Sequence, residues 1–210
     1  MTPKALVLAV IVLAMAACGT APVDPGPRVV QPGAPGQPSR DVTGAAPARR
    51  RDYTEADVRF MQGMIHHHAQ ALDMTALLVT RTERDDMKLF ARRIEVSQTD
   101  EIRTMQQWLR DRGADAPGVH AHHEPGAPLM PGMLSAEQLT RLEAARGPTF
   151  DRLFLELMIQ HHLGALTMVR ELFASAGAGQ QSDVFAFASD VEADQSMEIE
   201  RMGAMLAAIR

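Results

Sequence analysis

Two stretches of this chain place adjacent histidines between methionines at the same spacing. Asp57–Met74 reads DVRFMQGMIHHHAQALDM and Asp151–Met168 reads DRLFLELMIQHHLGALTM. Each holds a His pair, His67/His68 or His161/His162, with a methionine one turn before it (Met64, Met158) and another about two turns after it (Met74, Met168). Imidazole nitrogen and thioether sulfur with no thiolate form a ligand set for copper: Met sulfur suits Cu(I), and His serves both oxidation states. A second pair of segments follows, Phe90–Leu109 (FARRIEVSQTDEIRTMQQWL) and Phe187–Leu206 (FASDVEADQSMEIERMGAML), sharing Gln98/Gln195, Glu101/Glu198 and Met105/Met202. The chain therefore reads as two copies of a two-segment unit, which matters more than any single motif.

All four segments predict helices. At about 100° per residue, Phe60, Met61, Met64, His68, Ala71, Thr75 and Leu78 share one stripe, with His67 on its flank above Met74. On the second segment Ile94, Gln98, Glu101, Met105, Trp108 and Leu109 share another, and the later copy repeats the arrangement with Gln195 and Glu198. Thr54 with Asp57 and Ser135 with Gln138 fit helix starts, and Gly113 and Gly177 fit helix ends. No segment alternates with period two, so strands are not expected there. Short links around Thr82–Asp85 and Gly177–Ser182 make antiparallel hairpins. The expected fold is an all-α four-helix bundle of two duplicated hairpins. The long crossover carries a short extra helix from about Ala136 to Ala145.

Glu, Gln and His on core-facing positions are costly. An unpartnered buried polar group costs several kcal/mol, where a leucine would contribute roughly 1.5–3 kcal/mol. A sequence that makes this choice twice needs partners for those groups. One reading is a hydrogen-bonded layer, His to Glu and Gln to backbone, that sets helix register. The other is a metal site with His67, His68, His161, His162, Met64, Met74, Met158 and Met168 as ligands, and Gln98, Glu101, Gln195 and Glu198 behind them. Di-iron carboxylate sites in bundles need Glu-x-x-His; here the equivalent stretches are Glu95-x-x-Gln98 and Glu192-x-x-Gln195, so oxidase chemistry of that kind is disfavoured. Zinc through His and Glu stays open. His66 faces Gln160 in the alignment of the copies and is left out of the set. The crossover offers a loop cluster, His120, His122 and His123, whose alternative reading is a polar surface loop.

The remaining chain bounds the function. With 21 basic and 26 acidic residues and 4% aromatics, nothing supports nucleic-acid binding. A single cysteine excludes an intramolecular disulfide and a Cys-based zinc site. Lys4 and the apolar run Ala5–Ala14 read as an export signal, and Ala16-Ala17-Cys18 resembles a lipobox that would leave Cys18 lipidated. A plain cleaved signal or an uncleaved anchor are the alternatives. Residues 19–51, rich in Pro, Gly and Ala, read as a disordered linker off the membrane. The folded domain is then 52–210: repeat one 54–112, connection 113–148, repeat two 149–210.

The paired MIxHHxxALxM segments, each followed by a Gln-x-x-Glu-Ile-x-x-Met helix, resemble the secreted family called domain of unknown function 305. Met130-Pro-Gly-Met-Leu-Ser135 and Phe150-Asp151 fit it as well. The resemblance spans about Asp52 to Arg210. It implies a ferritin-like fold and, from the copper-associated CopM type within the family, copper handling in the cell envelope through the four paired histidines and their methionines. The expected function is an exported, membrane-tethered copper-binding protein, not an enzyme, whose physiological protein partner is undefined. The competing reading is an envelope scaffold module with a purely structural polar layer.

Overall fold

The computed structural model describes residues 30–31, 38–41, 52–118 and 128–209. The export signal, Cys18, most of the linker and the loop histidines His120, His122 and His123 lie outside the described residues. The chain divides into residues 1–50 and 51–210. In the first unit β1 (Val30–Gln31) pairs antiparallel with β2 (Arg40–Asp41), Val30 opposite Asp41. β-branched valine suits an extended backbone, which the linker composition obscured.

The second unit is helical: α1 (Glu55–Ala76), α2 (Leu78–Arg81), α3 (Asp85–Asp111), α4 (Ala136–Ala144), α5 (Gly147–Ala174) and α6 (Ser182–Ala208). No described helix is long and apolar enough to cross a membrane. Capping decides the starts. The Thr54 hydroxyl accepts the Asp57 N–H while the Asp57 carboxylate accepts the Thr54 N–H at 2.7 Å, and Ser135 and Gln138 repeat the exchange at α4. Gly113, at φ 66°, follows the last turn of α3 in the left-handed region that glycine enters without strain. The one-turn α2 after the break at Leu77 was not anticipated; its four residues are too few to show periodicity.

α1 packs on α3, α5 on α6, and the two hairpins meet mainly through α1 and α5. The core falls into two apolar halves. One joins Phe60–Ile65 of α1 with Ile102–Leu109 of α3, Ala165–Leu172 of α5 and Val184–Val191 of α6. The other joins Ala71 and Met74 of α1 with Met87–Ile94 of α3, Phe150–Met158 of α5, and Met202 and Met205 of α6. The beginning of α1 thus lies beside the end of α5, so the two central helices run antiparallel. Every long helix passes from one half to the other across a short polar stretch, and those stretches carry the residues singled out above. The result is an all-α, ferritin-like bundle.

The crossover returns over this waist. Leu129–Leu134 forms a strap on α1 and α5. The Gln70 side chain accepts the Leu134 N–H at 2.7 Å and donates to its carbonyl at 3.1 Å. Gln160 donates to the Gly132 carbonyl at 3.3 Å and is itself held by Gln138 at 3.1 Å. The strap lies so close to α5 that a Cβ on Gly164 would fall 2.0 Å from the Pro131 oxygen.

Candidate metal centre

All four paired histidines are fully buried in the polar waist. Helix periodicity explains it: consecutive residues point about 100° apart, so two neighbouring rings can both turn inward when they flank the stripe centre. His67 of α1 and His161 of α5 lie face to face, ring centroids 3.8 Å apart and tilted by 36°. His68 and His162 stand outside them, 6.4 Å and 6.2 Å from their neighbours along the chain.

The outer rings are anchored by carboxylates from their own hairpins. His68 Nε2 donates to Glu101 Oε2 at 2.5 Å, and His162 Nε2 donates to Glu198 Oε2 at 2.8 Å. A carboxylate can only accept, so in each neutral ring Nε2 carries the proton and Nδ1 keeps the lone pair. Among the described residues His68 Nδ1 and His162 Nδ1 are buried and meet no hydrogen-bond partner. A ring held at one nitrogen by a carboxylate, with the other nitrogen unused, is the arrangement in which a histidine ligates a metal. Among the described residues neither ring nitrogen of His161 makes a well-formed hydrogen bond, the His67 carbonyl acting on the ring only weakly, and both side-chain polar atoms of Gln98 and the Oε1 of Gln195 meet no partner. These orphaned buried groups have the donor chemistry of metal ligands. Among the described residues, however, no three His, Cys, Asp or Glu side chains form a group that could hold an ion as they stand.

The four methionines do not converge. Met64 and Met168 belong to one apolar half, Met74 and Met158 to the other. The antiparallel crossing of α1 and α5 causes this split, because it sets the early methionine of one copy beside the late methionine of the other. Met64 and Met158 stand one helical turn before the outer rings, where i and i+4 side chains are neighbours. The solvent side of the waist is a cleft between α3 and α6, lined by Ser97, Glu101, Asp190 and Asp194. Burial, with Glu101 and Glu198 nearby, raises the Asp194 pKa above the ordinary carboxylate value.

Burial above all, then the charges that His67, His162 and His68 would carry, hold the His161 pKa well below its ordinary 6.5; the His67 carbonyl acts weakly the other way. His161 therefore keeps a neutral ring, with a lone pair for a metal, where an exposed histidine would protonate. The unfolded chain takes up this proton as pH falls through 6.5 and the folded chain does not, so stability is complete above that pH and declines below it. Melting temperature should drop between about pH 7 and pH 5, this group contributing at most about 1.4 kcal/mol per pH unit. His161→Asn should flatten that decline; an unchanged profile would assign the slope to other groups.

Residues 57–206 match the model of the family described as Domain of unknown function (DUF305). The chain belongs to this family. A DUF305 fragment from Deinococcus radiodurans is 30% identical with a TM-score of 0.65, covering 74% of this chain and 98% of its own. CopM in the Cu(II)-bound form is 27% identical with a TM-score of 0.60, covering 72% of this chain and 96% of its own. CopM in the Cu(I)-bound form is 25% identical with a TM-score of 0.57, over the same shares. No curated protein sequence matches the chain significantly.

Sequence reasoning missed the strap that completes the waist of this DUF305 bundle. His67 Nε2 donates to the Pro131 carbonyl at 3.0 Å. The signal was present in Gly164, an isolated glycine inside a helical pattern, which marks a close approach of backbone.

Proposed function

We propose that this DUF305 protein is an exported, non-enzymatic copper-binding protein that buffers or sequesters the ion outside the cytoplasm. The observation that carries the reading is the likeness to CopM, solved with Cu(II) and with Cu(I). Three buried rings with unused nitrogens supply the donor chemistry, and Met64 and Met158 place a thioether one turn from each outer ring. Copper is the cargo here. His68 and His162, held by Glu101 and Glu198, would offer Nδ1, and His161 would offer either nitrogen. The ion's affinity should weaken with acid, since a protonated imidazole cannot ligate. The export signal and a lipid on Cys18 would hold the bundle at the membrane; Cys18→Ala should then move the protein from the membrane to the soluble fraction, and an unmoved protein excludes the tether.

The test is Cu(I) loading against a competing chelator, with the unmutated chain and with His67, His68, His161 and His162 all changed to Ala. The expected result is loss of the bound copper in the variant; equal stoichiometry in both removes the proposal. Running Zn(II) alongside decides between the two ions. The two His–Glu bonds favour one second reading, a structural layer that sets register. On that reading added copper leaves the melting temperature unchanged, whereas a ligand of the native state must raise it.

A further inference from the structure

Methionine inside a protein usually fills irregular gaps in the core. Met130 of the strap and Met168 of α5 instead line a surface pocket of about 240 Å³, together with Arg59, Gly63, Pro131 and Glu171. A Cβ on Gly63 would lie 3.2 Å from the Met130 sulfur and 3.3 Å from the Met168 methyl. The two thioether ends therefore approach one point above a bare stretch of α1. Glycine inside a helix costs about 1 kcal/mol relative to alanine, and at Gly63 it clears the space where those ends meet. A turn holds Met130 in place: the Met133 N–H donates to the Met130 carbonyl at 3.2 Å, with Pro131 and then Gly132, at φ 75°, between them. Duplication alone does not produce this pocket. Gly63 and Met168 correspond to Leu157 and Met74 in the other copy, where leucine fills the space and Met74 is fully buried. Met130 is half-buried and comes from the crossover, which runs past the bundle once.

We propose that Met130 and Met168 form a surface site for a monovalent soft cation, Cu(I) or Ag(I), separate from the histidine waist. Thioether sulfur selects soft ions over hard ones. Arg59 and Glu171 bring opposite charges to the pocket, so local charge does not favour a divalent ion and the sulfurs set the selectivity. The site goes beyond the copper reading above, because none of the four paired histidines belongs to it.

The test follows carbon-labelled methionine methyl groups in the full, metal-free chain as Ag(I) is added to a several-fold excess. The Met130 and Met168 signals are expected to shift together with silver and to stay still with Zn(II). Met130→Leu keeps the volume and removes one sulfur. The Met168 shift should then need at least about tenfold more silver, a loss seen even when a group behind a metal ligand is removed. Gly63→Ala keeps both sulfurs but drives a methyl between them, against flexible side-chain ends that can give way, and it should weaken silver binding too. Met130 and Met168 methyls that stay unmoved in excess silver, or an undiminished response in either variant, overturn the inference. Ring-nitrogen signals of the paired histidines that ignore Cu(I), while these two methyls respond, overturn the copper reading of the waist instead, so the two failures are told apart.

Discussion

Gly164→Ala is expected to lower the melting temperature by roughly 10 °C, the reverse of what alanine does inside an ordinary helix. The added Cβ would lie 2.0 Å from the Pro131 oxygen, 2.4 Å from its carbonyl carbon and 2.5 Å from Gly132 Cα. All three are backbone atoms, so no side chain can swing aside, and the strap must lift. Overpacking of this kind costs about 1–3 kcal/mol. Lifting also strands the Gln70 amide, buried and otherwise paired twice with Leu134, which adds about 1 kcal/mol or more. Gly203, in α6, provides the control: a Cβ there meets nothing within 4 Å, so Gly203→Ala should gain up to about 1 kcal/mol. Thermal unfolding of both variants, with hydrogen exchange at the Leu134 amide, decides the matter. Equal stabilisation in the two would mean that the strap does not bear on α5.

Asp57→Ala should cost about 3 kcal/mol or more, although Asp57 sits in the first turn of α1, well before the paired histidines. Its carboxylate is fully buried and accepts from the Thr54 N–H at 2.7 Å, the Thr54 hydroxyl at 2.9 Å and the Gly179 N–H at 2.7 Å. The first two close the cap of α1. The third joins that cap to the α5–α6 turn across 122 residues, where Gly179 sits at φ 67°. Alanine leaves the half-buried Thr54 N–H and the buried Gly179 N–H without this acceptor, and hydrogen bonds to a charged group are worth about 1.5–3 kcal/mol each. Asp57→Asn keeps one acceptor oxygen and should cost about half as much. Urea unfolding should show a lower midpoint with an unchanged slope; a loss below about 1 kcal/mol would mean that the turn is held by other contacts.

The helices, the inward histidines and the glutamates beside them were legible because period and spacing alone place them. Residues at i, i+3 and i+4 share a helix face in any setting, and the same spacing occurs twice in the chain. What spacing along one helix cannot convey is the direction of its neighbour. The separation of Met64 and Met168 from Met74 and Met158 depends on α1 and α5 running antiparallel, a relation between distant segments. The strap was hidden for a related reason: its hold on His67 runs through the carbonyl of Pro131, and a backbone oxygen leaves no trace in side-chain identity. Comparing the two copies where they differ was the available clue. Gln70 stands against Gly164 and His66 against Gln160, and three of these four positions, Gln70, Gln160 and Gly164, touch the crossover.

Each apolar half of the core draws side chains from all four long helices. A fragment that ended at Gly113 would keep α1 and α3 but leave Phe60, Met64, Ile102 and Met105 on one side of the waist, and Met74, Met87 and Ile94 on the other, with nothing opposite them. Neither hairpin is therefore an autonomous module that could be excised, transplanted or lost without the other. The imidazoles at the centre exist as a group only while both arms of the chain are intact.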